Sequence, residues 1–191
     1  MNSTRWTATC LGTAIICAAL TALVIAVPSS AATTTCPYAD AQPAQLSVPK
    51  FNASLLCLLN AERRAHGLVP LKQNRKLAHA ALGHSSSMET GRYFAHTEPG
   101  GRTFIKRVRK SGYARGAAHW VAGENIGAGA GTLGTPAALM TGFMNSPEHR
   151  ANILDPAFRE IGIGSVRGAP TLDAAGNGIT LTNDFGVRRF G

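Results

Sequence analysis

The sequence contains few acidic and few aromatic residues, and both shortages limit the partners that it can recognise. Only 10 Asp and Glu stand against 19 Lys and Arg, which gives a net charge of +9. A basic chain of this kind is suited to lipid headgroups, anionic cell-wall polymers or acidic proteins. Aromatic residues make up only 6%, and the basic residues are scattered apart from the run at 102–110. Because nucleic-acid binding usually interleaves basic and aromatic residues, we expect no nucleic-acid partner.

Cysteine is also scarce, and its spacing excludes one common kind of site. The four cysteines form no C-x-x-C pair, which argues against a structural zinc knuckle. Cys10 and Cys17 lie in an N-terminal apolar segment, which leaves Cys36 and Cys57. In an exported protein this pair predicts one disulfide that ties the N-terminal tail to the first helix. The alternative is two free thiols.

Long apolar runs are absent except at the N-terminus, where residues 11–27 are mostly apolar. Arg5 precedes this run and small residues follow it, so residues 1–32 are predicted to be a secretory signal peptide. The alternative is a membrane anchor, although the run is at the lower limit for spanning a bilayer. We therefore expect a secreted protein that keeps no stable membrane span after processing.

The remaining residues suit a single domain with one core. Residues 33–50 are rich in Ala, Thr, Gln and Pro and are predicted to form an extended leader, and residues 51–191 the domain. Apolar residues recur at helical spacing in the first half, and alternation typical of strands dominates the second half. This order predicts an α+β domain. In the helix predicted around residues 104–110, Phe104, Ile105 and Val108 are expected to face inward and the basic residues outward.

Three residues lie in contexts that favour chemistry over packing. His96 is in the loop sequence FAHTEP, Glu124 is in AGENIG, and His149 follows a helix breaker in SPEHR. Two imidazoles and a carboxylate brought together could hold a cation or form an acid/base pair. Taken separately, each residue has a simpler role, since a loop histidine is often solvated and Glu124 could hydrogen-bond backbone groups.

Several segments together resemble one family. LLNAERRAHGLVPL, HSSSMETGRYFAHTEP, AGENIGAG, FMNSPEHRANILDPAFREIGIG and LTNDFG occur in the order typical of the CAP superfamily (the SCP-like extracellular domain of cysteine-rich secretory proteins, antigen 5 and pathogenesis-related 1 proteins), especially its bacterial secreted branch. The resemblance covers about residues 54–186. It implies an α-β-α sandwich with a central, mainly antiparallel sheet.

The resemblance also implies a large cleft that holds two His and two Glu. The family histidines fall on His96 and His149, and the first family Glu falls on Glu124. The second falls near Ser146, which has no carboxylate, and the match does not place it on the nearby Glu148. Ser146, Glu148 and Asn125 are therefore expected only as neighbours of the cleft.

These residues suggest three functions. The first is an extracellular binding or effector module whose cleft takes a divalent cation, a lipid or a small anion; two imidazoles suit Zn²⁺ among the cations. The second is a metal-assisted hydrolase acting on peptide or cell-wall bonds, with Glu124 as general base on bound water. The third is a structural domain with an inert cleft. We favour a non-enzymatic monomer whose partner is a lipid, a cell-wall polymer or a protein.

Overall fold

The computed structural model describes residues 35–172 and 176–191. The predicted signal peptide at 1–32 lies outside the described residues. The helices are α1 (Val48–Ala65), α2 (Arg75–Gly91), α3 (Phe104–Lys110), α4 (Pro136–Asn145) and α5 (Pro147–Leu154). The strands are β1 (Lys72–Gln73), β2 (His119–Ala130), β3 (Glu160–Arg167) and β4 (Gly178–Arg189), and 3₁₀ turns cover Pro43–Gln45 and Gly131–Gly134.

Helix starts follow from capping side chains. Asn74, Thr103 and Thr135 each accept a hydrogen bond from a backbone N–H in the first turn of α2, α3 and α4. Ser47 does the same for α1, which also has a proline in its first turn. Helix α1 therefore begins at Val48, inside the segment predicted to be an extended leader.

The four strands form one sheet in the order β1-β3-β4-β2. Strand β4 pairs antiparallel with both β2 and β3, and the two-residue β1 pairs parallel with β3. Helix α2 packs on β3 and β4, whereas α1 packs on β3, and α4 and α5 pack on β2 and against α1. The predicted α+β fold with a mainly antiparallel central sheet is confirmed.

Alternation along β3 shows how the sheet separates its two faces. Ile161 and Ile163 belong to the main apolar core with α1 and α4. The glycines between them face α2, since a Cβ added at Gly162 or Gly164 would lie 2.0 Å from a backbone nitrogen of α2. Glycine is required at these two positions because the helix backbone lies directly against the strand.

The two faces of the sheet bury different kinds of side chain. The face toward α1, α4 and α5 is mainly apolar and buries the polar pair Asn125 and Asn183, whereas the α2 face has a small apolar cluster beside buried polar and charged groups. The main core includes Phe51, Leu55, Leu59, Leu139, Phe143, Ile153, Phe158, Ile161, Ile179, Leu181 and Phe185. The smaller cluster consists of Leu77, Ala80, Val108 and Tyr113.

The disulfide between Cys36 and Cys57 is confirmed, with a Cα–Cα distance of 5.6 Å. It joins the segment before α1 to the middle of that helix. No helix within residues 35–172 and 176–191 has the length and apolar character needed to cross a membrane.

Candidate functional site

The cleft residues gather around β2, a strand at the edge of the sheet. Glu124 lies in the middle of β2, His96 in the loop between α2 and α3, and His149 in α5. The Nδ1 atom of His96 lies 2.8 Å from Oε1 of Glu124. Glu124 is buried, whereas the His96 side chain is 51% exposed. The fold thus joins a solvent-facing imidazole to a buried carboxylate.

Arg107 is a site residue that the sequence analysis missed. Its Nη2 donates to Oε2 of Glu124 at 2.6 Å and to the backbone oxygen of His96 at 3.0 Å. The expectation that the basic residues of α3 face outward is therefore wrong at this position, because Arg107 is only 5% exposed. Helical spacing could have indicated this position, because Arg107 lies three residues after Phe104 and beside Val108, on the inward face of the helix.

The two partners of Glu124 determine its charge. Burial alone would raise the pKa of this carboxyl, but the hydrogen bonds from His96 and Arg107 and the Arg107 charge outweigh burial. The pKa of Glu124 therefore lies below its usual range, and the group is an anion at neutral pH. Because both oxygens accept hydrogen bonds, Glu124 is arranged to hold His96 and Arg107 in place.

A second buried carboxyl adjoins the first. Asp184 is directly opposite Glu124 in the β2–β4 register and is fully buried. Burial, together with the nearby charge of Glu124, raises the pKa of Asp184 well above its usual range. Asp184 therefore takes up a proton before Glu124 does. The sequence contains a sign of this position, because Asp184, in LTNDFG, alternates with Thr180 and Thr182 and so lies on the same face of the strand.

His149 approaches the cleft from the other side of β2. Its ring meets Phe143 edge-on, with centroids 5.1 Å apart. Burial, and then the nearby charge of His96, lowers the pKa of His149, so its imidazole is neutral at pH 7. Asn125 donates to the His149 backbone oxygen at 3.0 Å and accepts from Asn152 at 2.8 Å. Asn125 thus anchors α5 to the strand that carries Glu124.

The remaining predicted neighbours differ in position. Ser146 joins α4 to α5 and lines a surface groove with His149. Glu148 is exposed in the first turn of α5, where a carboxylate suits the positive end of the helix. Glu148 therefore has a local role at the start of this helix, while Ser146 borders the groove.

The predicted cation ligands do not form a three-ligand group in this arrangement. Within residues 35–172 and 176–191, no cluster of three or more His, Cys, Asp or Glu is placed to hold a metal ion. The oxygens of Glu124 are hydrogen-bonded to His96 and Arg107, and the Arg107 cation lies where it would repel a metal. Of the three predicted ligands, His96 and His149 are the two whose side chains could still offer a ring nitrogen to a metal ion.

An apolar groove runs beside β2. Its volume is about 360 Å³, within the range of small-molecule sites. Phe94 and Leu133, which are 42% and 75% exposed, border it, and Leu139 and Phe143 of α4 line its interior. His149 provides a polar group in the lining. The groove therefore combines apolar walls with an imidazole.

Fold and site together define a layered α+β domain with a buried cluster of charged residues at one edge of its sheet. The chain belongs to the CAP family: the model of the "Cysteine-rich secretory protein family" matches residues 56–179. The resemblance found in the motifs is thereby confirmed.

Relatives in bacteria support this membership. The chain is 35% identical over 120 residues to the protein YkwD and 32% identical over 110 residues to the membrane protein YlbC, both of Bacillus subtilis (strain 168). These matches cover 63% and 58% of the chain, but only 44% and 30% of the two relatives. The chain therefore corresponds to less than half of either protein.

Solved structures show the same fold. An extracellular protein containing an SCP domain from Bacillus anthracis matches with a TM-score of 0.55 at 28% identity, over 75% of this chain and 44% of that one. An outer surface protein from Borrelia burgdorferi matches with a TM-score of 0.60 at 19% identity, over 75% of this chain and 97% of that one. The second similarity is informative about the fold alone.

Proposed function

We propose that this protein is an extracellular binding module whose groove takes an amphipathic ligand with an anionic headgroup. The observation that carries the proposal is the apolar groove with His149 in its lining. Extracellular location is supported by the disulfide, by the predicted signal peptide and by the extracellular SCP-domain protein of similar fold. A lipid tail would lie against the apolar walls, and its headgroup would face the His149 imidazole.

Binding of a fluorescent C18 fatty acid tests this proposal. Leu133→Gln should weaken binding about tenfold, because it removes apolar contact area from the ligand. Val121→Gln is the matched control, since Val121 is also exposed, at 55%, but does not line the groove. Equal affinities of both variants and the parent protein would refute the groove as the site.

The headgroup is tested with a matched pair of ligands. A C18 fatty acid should bind more tightly than the C18 alcohol, and His149→Ala should remove most of that difference. This substitution deletes the N–H donor that the neutral imidazole offers to a carboxylate. If the alcohol binds as well as the acid, the groove selects for the tail only.

A divalent cation held by His96 and His149 is the second proposal. The contact between His96 and Glu124 supports it, because metal-binding histidines usually donate their other ring N–H to a carboxylate. Calorimetric titration of the metal-stripped protein with Zn²⁺ is the test, with the His96→Ala/His149→Ala variant beside it. Saturable binding that the double variant loses supports the cation, and identical heats for both proteins oppose it.

Metal-assisted hydrolysis has less support from the geometry. A general base on bound water needs a free carboxylate oxygen, and Glu124 already accepts hydrogen bonds at both of its oxygens. Its lowered pKa also makes it a weak base. If hydrolysis of a peptide or cell-wall substrate were found and Glu124→Gln abolished it with the fold retained, the hydrolase hypothesis would replace the binding module.

A domain that binds neither lipid nor zinc would be structural.

A further inference from the structure

A second pocket lies between α2 and α3. Its volume is about 200 Å³, and it is separate from the groove, with which it shares no lining residue. Helix α2, helix α3 and the loop that connects them all contribute to its wall. The lining residues that matter here are His79, Glu98, Arg102, Arg107, Lys110 and Ser111.

The charge of this pocket is positive. Arg102, Arg107 and Lys110 line it, and Glu98 is the carboxylate among the lining residues. Glu98 is already paired, because its Oε2 lies 2.6 Å from Arg102 and its Oε1 lies 3.7 Å from Arg107. Arg107 is also paired with Glu124 at 2.6 Å, so these pairs leave Lys110 as the net positive charge of the lining, and a concave wall with net positive charge concentrates anions.

Hydrogen-bond donors around the pocket are left without acceptors. The Nη1 and Nη2 atoms of Arg107 donate to protein oxygens, but its buried Nε has no hydrogen-bond partner in the described part of the chain. An unpaired buried N–H is costly, so an acceptor in the pocket would offset that cost. The Lys110 ammonium makes no ion pair or hydrogen bond with any residue in 35–172 or 176–191.

We propose that this pocket binds a compact oxyanion of the phosphate class, either a free phosphate monoester or the phosphate of a lipid headgroup. Phosphate oxygens accept charge-assisted hydrogen bonds from guanidinium and ammonium groups, and the pocket offers the unpaired Nε–H of Arg107 and the Lys110 ammonium. The cavity is several times the roughly 30 Å³ that one water occupies in the liquid, which leaves room for a tetrahedral anion. This site does not depend on ligand binding in the groove.

The test is calorimetric titration of the purified protein with inorganic phosphate and with glycerol 3-phosphate at low ionic strength. Lys110→Gln should weaken binding about tenfold, the usual effect of losing a hydrogen bond to a charged group. Lys106→Gln is the matched control, because Lys106 is also an exposed lysine of α3 but does not line the pocket. An equal loss in both variants would indicate diffuse attraction and overturn the proposal.

Vesicles distinguish the two sources of phosphate. Flotation is measured with phosphatidylcholine vesicles, with and without phosphatidic acid, for the parent protein and both lysine variants. Lys110-dependent binding of the soluble anions identifies a free phosphate ester, and Lys110-dependent binding confined to phosphatidic acid vesicles identifies a headgroup. The proposal fails if no probe shows binding that depends on Lys110 more than on Lys106.

Discussion

The two faces of the sheet are stabilised in different ways, although the same strands build both. On the face toward α1, α4 and α5, β3 and β4 present Ile161, Ile163, Ile179, Leu181 and Phe185 to an apolar core. On the other face, glycines let α2 pack closely, and a buried group of charged residues fills the space near α3.

The two faces differ in the substitutions that they tolerate. An apolar core loses free energy in proportion to the volume removed, because dispersion contacts and burial are not directional. A buried ion cluster depends on each member having its partner, because a charge left alone in a low-dielectric region is very unfavourable. Glu124 and Arg107 lie on the second kind of face, so each of them contributes to the stability of that face.

Arg107→Leu should produce the largest effect. The substitution leaves Glu124 buried beside Asp184 without its cation, and breaking a buried pair in this way costs about 3–5 kcal/mol. Chemical denaturation at pH 7 measures the loss. Lys106→Leu on the same helix is the control, since Lys106 is exposed and should change stability little. A fully stable Arg107 variant would show that the ion cluster is not essential to this face.

On the apolar face, Leu181→Ala should cost about 2–5 kcal/mol through lost burial and a residual cavity. Leu82→Ala is the control, because Leu82 is 45% exposed. The cost of Leu181→Ala should be the same at pH 5 and pH 8, since no titratable group is removed. A cost that varies strongly with pH would mean that the two faces are coupled.

Gly164→Ala tests the close contact between β3 and α2. A Cβ at this position would meet the α2 backbone, and overpacking of this kind typically costs about 1–3 kcal/mol. Gly142→Ala in α4 is the control, because open space surrounds that position and alanine is the better helix former by about 0.5–1 kcal/mol. Thermal unfolding should therefore shift in opposite directions for the two variants.

Of these substitutions, Asp184→Asn should change the free energy of unfolding least near pH 5. It should also change how that free energy depends on pH. The folded-state pKa of Asp184 lies above its unfolded value of about 3.9. The stability that protonated Asp184 contributes to the folded protein is therefore fully present below a pH of about 3.9, and it is lost as the pH rises through the folded-state pKa. The amide of the new side chain has nearly the same shape as the protonated acid and cannot ionise. Above the folded-state pKa, the variant should therefore be more stable than the parent.

The matching measurement is the free energy of unfolding of both proteins from pH 4 to pH 9. The two curves should converge at the acid end and separate toward the alkaline end. Parallel curves over this range would indicate that Asp184 does not hold a proton in the folded protein.

Local sequence patterns were sufficient to predict the family, the disulfide pair and most of the helices and long strands. Hydrophobic periodicity and caps are local, so the starts of α2 at Arg75 and α4 at Pro136 could be predicted from neighbouring residues. Cys36 and Cys57 followed from elimination and compartment. His96, Glu124 and His149 were found because their motifs match a family pattern.

The contacts between those residues depend on how the helices and strands pack, which no local pattern predicted. Arg107 belongs to the site because α3 turns it toward β2, and Asp184 because the antiparallel register sets it opposite Glu124. The pocket at Lys110 exists because α2 and α3 enclose it. Such contacts join residues far apart in sequence, and their energies depend on distance and burial, which local patterns do not encode.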